Sequence, residues 1–591
     1  MKGAQDNLRT FFFVTHTFSP QNLEDYKIMP TFARVIRKTW MIRALVVLMM
    51  CQWVLDADAV RAQIAWKTYV QPDGTVLTLT LCGDEHFNCY KDRFGQAYSM
   101  DSLGVFHRLS PAQLRASRIR SRSALPLTYP HTDWNPNRIY RQLVVLLSFD
   151  DCDFLMEDPL TTYQSVFNEK GYNQSLGPGS VADYFRDQSN GLFNIQFDVY
   201  GPFKVNRKAQ ASGNGTNYGG ESFREATQQL ISDHPDLDYS LYDWDSDGDV
   251  DQVIYIYAGQ SGNQTGIKGY IWPSTSSFKS VSTPDGHNIS KFSASGELWS
   301  KNISCGIGTV CHEFSHCLGL PDIYPTYDVE DVISIVDEWD LMDGGNYTNY
   351  GWCPPNYSAL EKMLMGWLTP KELNGDTIIT GMQCVADGGD VYLIPHRDDE
   401  FYLLENRQWR GWDAGLPGHG LVVFHVKYDQ YKWRANIVNT IEDKPYYCLV
   451  GADNLDYNYW YDLFMSLGKN PYVNAKWMNS AILSTAPYPW NTDATTIANQ
   501  ELSATSVPAA LMYEENADGS TMLSMSITEI TEHEDGTISF KLQTNSQSGI
   551  SILQSIHESY DTPIYSLQGI RTAVPVKGGI YIRDGRKFVV K

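Results

Sequence analysis

Positive charge is scarce in this chain: 46 lysines and arginines stand against 69 aspartates and glutamates, a formal net charge of −23 at pH 7. A nucleic-acid surface needs clustered Lys and Arg to displace phosphate counterions, so nucleic acid is excluded as a partner. The same shortage argues against docking on an anionic membrane. Charge of either sign is sparse, at 19% of 591 residues. Disorder does not follow, because 36 Tyr, 24 Phe and 16 Trp supply the apolar surface that disordered chains lack. The length leaves room for about three or four domains.

Long apolar runs are also missing. The strongest, Met41 to Leu55 (MIRALVVLMMCQWVL), is too short to span a bilayer comfortably. It follows the basic stretch Arg34 to Arg43 and precedes Ala57, Ala59 and Ala62, the order of a secretory signal with cleavage near Ala62. The mature form therefore carries no expected transmembrane segment. Met29 and Met41 are alternative translation starts, and a membrane-anchored amphipathic helix is the competing reading. Cys51 ends the run, but Met49 and Met50 before it are poor substitutes for the small residues a lipidation site prefers. Cysteine is thin too. Nine remain after Ala62 (82, 89, 152, 305, 311, 317, 353, 384 and 448), an odd number that gives no disulfide framework. No period of about 20–50 residues is present, which excludes a solenoid.

Residues 63–125 read as β-rich: TYVQPDGTVLTLTLCGDE alternates around Pro72-Asp73-Gly74. Arg115 to Arg122 (RASRIRSR) then places four arginines in eight residues. It is either a solvated helix face or, as its position favours, an exposed linker open to a trypsin-like or Arg-specific protease. Residues 126–370 mix strands and helices. Ile139 to Phe149 should be a central strand, Ser180 should cap a helix over VADYFRDQ, and Val253 to Tyr257 should be a buried strand. Residues 371–545 read as a β-sandwich-like region of one or two units, and 546–591 as a separate tail of short strands with a basic end.

Thr309 to Tyr324 reads TVCHEFSHCLGLPDIY. On a helix, His312 and His316 share one face and can grip one ion, while Glu313 between them is placed to take a proton from an activated water. Gly319 is the expected helix terminator, turning the chain back so that Asp322 reaches the metal. The string is H-E-x-x-H-x-x-G-x-x-D; metzincin proteases usually have His at the last position. Asp is an acceptable zinc ligand, though its negative charge lowers the Lewis acidity of the site. Met342, in EWDLMDGGN, lies where metzincins place a methionine turn beneath the metal. Glu338 and Glu361 are the rival third ligands, and either would leave the Gly319 and Asp322 spacing unexplained. Tyr347 and Tyr350 are candidates to assist the oxyanion, with no spacing that selects one.

A second metal is read at Asp243 to Asp251, DWDSDGDVD. Asp243, Asp245, Asp247 and Gly248 match the first half of an EF-hand loop. Position 12 is Ile254 rather than Glu, and Asp251 is the candidate substitute. A structural Ca²⁺ is expected there; a solvated acidic turn is the alternative.

HEFSHCLGLPDIY, EWDLMDGGN and PPNYSALEKMLMGWL together resemble the immune inhibitor A family of bacterial metzincin proteases. SVADYFRDQSNG, YDWDSDGDVDQVIYIYAG, YLLENRQ and GWDAGLPGHGLVVFHV extend the likeness, with gaps, over about 70–440. The resemblance implies a secreted zinc endopeptidase built as a zymogen, with His312, His316 and Asp322 as ligands and Glu313 as general base. It departs from the family at Ser315, usually Gly, and at Cys317, usually apolar. It makes 63–125 a prosegment. Within it, Cys82, Asp84, Glu85, His86 and Cys89 are the groups able to reach a metal; Asp84 ranks above the cysteines, and steric blockage ranks above all of them. The tail resembles C-terminal β-domains that direct export in Bacteroidetes-type bacteria; a terminal hairpin packed on the preceding domain is the alternative.

The expectation is thus an α/β metzincin-like zinc protease domain between a β-rich prosegment and β-sandwich-like C-terminal domains, acting on proteins or peptides outside the cell. The rival is a surface adhesin on a protease-like scaffold. It has to account for the intact set His312, Glu313, His316 and Asp322.

Overall fold

The computed structural model describes residue 62, residues 66–545 except 84–87, 102, 111–112, 114–133, 174–176, 214–218, 327–333, 440–443, 457–482, 494–495 and 517–518, and the backbone of short strands between 564 and 589. The signal region before Ala62, the arginine run, and Asp84, Glu85 and His86 lie outside the described residues. The chain forms two units. One is Met1–Pro355 with Leu364–Trp367 and Asp429–Glu442; the other is Asn356–Met363, Leu368–Tyr428 and Asp443–Lys591.

The first unit opens with an antiparallel meander of five strands, β1 (Lys67–Val70), β2 (Val76–Gly83), β3 (Asn88–Lys91), β4 (Ala97–Met100) and β5 (Phe106–Arg108). Asp73 Oδ1 accepts the Thr75 amide at 2.9 Å and Gly74 takes φ +84°, so the Pro-Asp-Gly turn sets the first hairpin. Leu79, Leu81, Tyr90, Tyr98 and Phe106 form its core, with Trp272 from the following α/β part packed against it. Lys67 Nζ donates to the Gln264 carbonyl at 2.9 Å, and the Tyr90 hydroxyl donates to that of Gly266. These contacts join the meander to the α/β part in one unit. Cys82 and Cys89 are directly opposite each other across β2 and β3.

The main sheet is built on β6 (Ile139–Phe149), whose apolar run is paired on both sides. That is why it shows no polar alternation. β7 (Asn194–Val205), β8 (Val253–Gln260) and β10 (Asn288–Ser300) continue it in parallel, in the order β10-β8-β6-β7. β9 (Ser274–Ser282) runs antiparallel along β10, and β11 (Ile303–Ser304) pairs there as well. Helices α1 (Pro159–Asn168), α2 (Val181–Gln188) and α3 (Gly220–Asp233) cover the sheet. Leu143, Val145, Leu147, Val253, Tyr255 and Tyr257 meet Phe223, Ala226 and Leu230 of α3 on one face. α2 starts on a capping box: Ser180 Oγ accepts the Asp183 amide, and Asp183 Oδ2 accepts the Ser180 amide.

In the second unit, β12 (Lys371–Glu372), β14 (Tyr392–Arg397), β15 (Glu400–Arg407), β16 (Gly420–Lys427) and β17 (Tyr447–Leu449) form one sheet. β13 (Thr377–Met382), β21 (Ile538–Thr544) and β20 (Met525–Glu532) form another, and a hairpin joins β18 (Trp490–Asp493) to β19 (Thr496–Asn499). Ile394, Tyr402, Leu404 and Val423 share one core with Ile527, Phe540 and Leu542. A buried ion cluster gathers PPNYSALEK, YLLENRQ and GWDAGLPGHG. Arg407, fully buried, grips Asp413 through two bonds of 2.7 and 2.8 Å and reaches Glu405 at 3.2 Å. Glu405 and Asp413 in turn accept the Ala359 and Asn356 amides. Removing one partner of such a cluster strands a buried charge, at a cost of about 3–5 kcal/mol. The tail forms a four-stranded antiparallel sheet of β22 (Ile564–Ser566), β23 (Arg571–Thr572), β24 (Ile580–Arg583) and β25 (Arg586–Val589). Residues 429–442, inside the stretch expected to be wholly C-terminal, belong to the first unit. No described helix is long and apolar enough to cross a membrane.

Candidate metal centre

HEFSH lies on helix α4 (Gly308–Cys317), nearly all of it buried. Its first residue, Gly308, must be glycine, because a Cβ there would stand 2.1 Å from the Asn346 carbonyl oxygen. Phe314 seats it on rings of the sheet side, 5.1 Å from Phe185 and 6.2 Å from Phe197. Ser315 is tolerated in the buried helix because its hydroxyl bonds back to the Cys311 carbonyl at 2.6 Å. Gly319 ends the helix at φ +99°. Its amide donates to the His316 carbonyl and the Leu320 amide to that of Ser315, the paired bonds of a Schellman motif.

That reversal brings Asp322 back over the helix. His312 Nε2 is 3.1 Å and His316 Nε2 3.3 Å from Asp322 Oδ1. Ligand atoms held at ~2.0–2.1 Å from one zinc ion in a tetrahedron stand ~3.3 Å apart. All three residues are buried. His312 Nδ1 is 2.9 Å from the Leu341 carbonyl oxygen, and His316 Nδ1 is 2.7 Å from that of Leu320. A carbonyl only accepts, so each Nδ1 carries the proton and each Nε2 turns a lone pair toward Oδ1. Burial pushes the His312 imidazole below its ordinary pKa, which keeps the ring neutral. His312 Nε2 and Asp322 Oδ1 find no hydrogen-bond partner among the described residues. Lone pairs crowded in this way repel one another unless a cation sits between them. The donor set therefore fits zinc.

Glu313, on the same helix turn and 1% exposed, is held by Thr275 of the antiparallel edge strand β9. The Thr275 hydroxyl is 2.6 Å from the Glu313 carbonyl oxygen and 3.1 Å from its Oε2. Met342 is fully buried in the turn below. Its amide donates to Asp340 Oδ1 at 2.8 Å, and its carbonyl accepts the Ile323 amide, next to Asp322, at 2.8 Å. Asp343 accepts the amides of Ile335, Val336 and Asp337, which shapes the approach to that turn. The Cys317 thiol is pushed up to about 12 by burial, so it is no thiolate at neutral pH.

Glu338 is buried but is not grouped with the two histidines, and Glu361 belongs to the second unit, where its Oε2 accepts from Ser358. The Tyr347 hydroxyl takes a bond of 2.9 Å from Asn263, and Tyr350 packs edge-on against Trp299. Two partners escaped the sequence. Thr275 is one. The other is Asn436, whose amide brackets Asp322. Neither carries a local pattern, since they lie 38 and 114 residues from the groups they hold.

Asp243, Asp245 and Asp247 bring one carboxylate oxygen each within 4.8 Å of the others. Gly248, at φ +93°, closes the loop, and its amide donates to Asp243 Oδ2 at 2.9 Å. Asp251 is not part of this group: its Oδ2 turns back to accept the Trp244 amide, and burial pushes its pKa up to about 6.

Residues 127–367 match the family model of the immune inhibitor A peptidase M6 catalytic domain. The resemblance read from HEFSHCLGLPDIY and EWDLMDGGN holds for that segment, and it supports a metallopeptidase. Two curated relatives, pre-pro-metalloprotease PrtV from two strains of Vibrio cholerae serotype O1, are each 23% identical over 274 residues. The match covers 41% of this chain and 29% of each relative, so the chain spans less than a third of their length.

Proposed function

We propose that the chain is a secreted zinc-dependent endopeptidase acting on proteins or peptides, preceded by a prosegment that keeps it latent. The observation that carries this reading is the buried meeting of His312, His316 and Asp322 beside Glu313. Zinc, when bound, polarises a carbonyl and lowers the pKa of water. The two neutral imidazoles and one carboxylate hold it, each histidine steered by a backbone carbonyl behind it. Glu313 takes the proton of the attacking water on its carboxylate and delivers it to the leaving amine. Thr275 steadies that carboxylate from the edge strand. Asp243, Asp245 and Asp247 would hold a structural calcium ion, which offsets two of the three like charges ahead of β8.

The test uses the purified chain from residue 63, cut with trypsin at the arginine run; the trypsin is then blocked with a serine-protease inhibitor, and casein hydrolysis is followed. Activity should appear on cutting, vanish with a zinc chelator and return with zinc. A precursor as active as its cut product would remove latency. A cut product indifferent to the chelator would remove the metalloprotease.

A further inference from the structure

Asp322 presents two oxygens to two different neighbourhoods. Oδ1 faces the histidines, and Oδ2 accepts a bond of 2.8 Å from Asn436 Nδ2. The same Asn436 amide accepts the Asp322 backbone N–H on its Oδ1 at 2.7 Å. One planar side chain therefore reads both the backbone and the carboxylate of Asp322, which fixes the carboxylate's rotation as well as its place. We infer that Asn436 is the positioning residue of the third metal ligand, selecting the oxygen that faces the metal. This rests on the zinc reading above.

The surroundings suit that task. Asn436 is buried at 4% exposure and follows the short helix α5 (Gln430–Arg434), itself capped by Asp429. Its φ is +49°, in the left-handed region that asparagine tolerates better than most residues. Its carbonyl oxygen accepts from Thr326 Oγ1. Three residues on, Asn439 Nδ2 donates to the Ile323 carbonyl at 2.7 Å. The segment Asp429–Glu442 thus leaves the second unit's sequence to grip the Asp322 loop of the first at two successive residues. A carboxylate freed of Asn436 would have a rotation to lose on binding metal, and its buried Oδ2 would lack its donor. Loss of such an outer partner typically weakens metal about 10–100-fold.

Two full-chain variants test this. Asn436→Gly keeps the left-handed backbone and removes the amide. Asn436→Asp keeps the shape and sets a second carboxylate oxygen against Oδ2. The readouts are zinc affinity by competition with a chromogenic chelator, the visible absorption spectrum of the cobalt(II)-substituted protein, and thermal melting of the metal-free protein. Both variants should bind zinc about 10–100-fold more weakly and change the cobalt spectrum, with Asn436→Asp the worse, while the metal-free melt stays cooperative. Wild-type zinc affinity and cobalt spectrum in both variants would overturn the assignment. Loss of the cooperative metal-free melt in both would overturn it as well, since the role would then be holding the fold. A wild-type chain that binds no zinc would sink the metalloprotease reading first and this assignment with it.

Discussion

Replacing Glu313 by Gln exchanges one carboxylate oxygen for an amide nitrogen and alters little else in a side chain that is 1% exposed. The amide keeps the volume, so no cavity opens. Thr275 Oγ1 stays within reach of the end group, 3.1 Å away in the native side chain, and keeps its 2.6 Å bond to the residue's carbonyl. The stability change should therefore stay within about 1–3 kcal/mol, the range for altering one buried polar contact. The three candidate zinc donors belong to His312, His316 and Asp322, so metal content should not change. What disappears is the group that accepts the proton. General acid–base groups contribute typically 10²–10⁴-fold, which at about 1.36 kcal/mol per tenfold is about 3–5 kcal/mol of barrier. The assay is kcat/KM on a quenched fluorescent peptide, with zinc by elemental analysis and a thermal melt on the same sample. A drop of that size with zinc and melt retained is expected. Near-full activity with zinc bound would refute the role given to Glu313.

Calcium removal, with zinc resupplied, should lower the melting temperature more than it lowers kcat. Asp243, Asp245 and Asp247 are then left as unneutralised neighbours, and an unchanged melt would leave an ordinary acidic turn. In the second unit, His419 Nδ1 donates to Glu532 Oε1 at 2.6 Å, which raises the His419 pKa, and His419 in turn helps hold the Glu532 carboxyl low against its burial. The stabilisation from His419 is then fully present below its ordinary value of 6.5 and is lost as pH rises through the raised folded value. The melting difference between wild type and His419→Gln should accordingly shrink as pH rises above about 6.5 and through the raised folded value. A constant difference would mean the contact is not ionic.

Local rules made part of this protein legible. The four-residue spacing of His312 and His316, the positive φ of Gly319, the capping box at Ser180 and the unbroken apolar run of β6 are each decided within one turn or one strand. The acidic loop was legible only in part. Asp243, Asp245 and Asp247 converge, but Asp251 is drawn off by a nearby backbone amide that spacing does not register. The rest depends on contacts far apart in sequence. Asn436 reaches back 114 residues to Asp322, Tyr90 crosses 176 residues to Gly266, and Arg407 sits between motifs whose joint role is structural. Such pairs leave no periodicity. A single asparagine in a polar stretch looks the same whether it faces solvent or a ligand.

Zinc content of purified Asp322→Ala, beside the wild type and Asp322→His, bears most directly on the metal centre. Wild type should hold about one zinc per chain. Asp322→Ala, which leaves two imidazoles facing an empty corner, should fall well below that after dialysis. Asp322→His should retain metal, since His is the usual metzincin residue at that place. Full zinc in Asp322→Ala would contradict the assignment and move the third ligand to another residue, with Glu338 the first to examine.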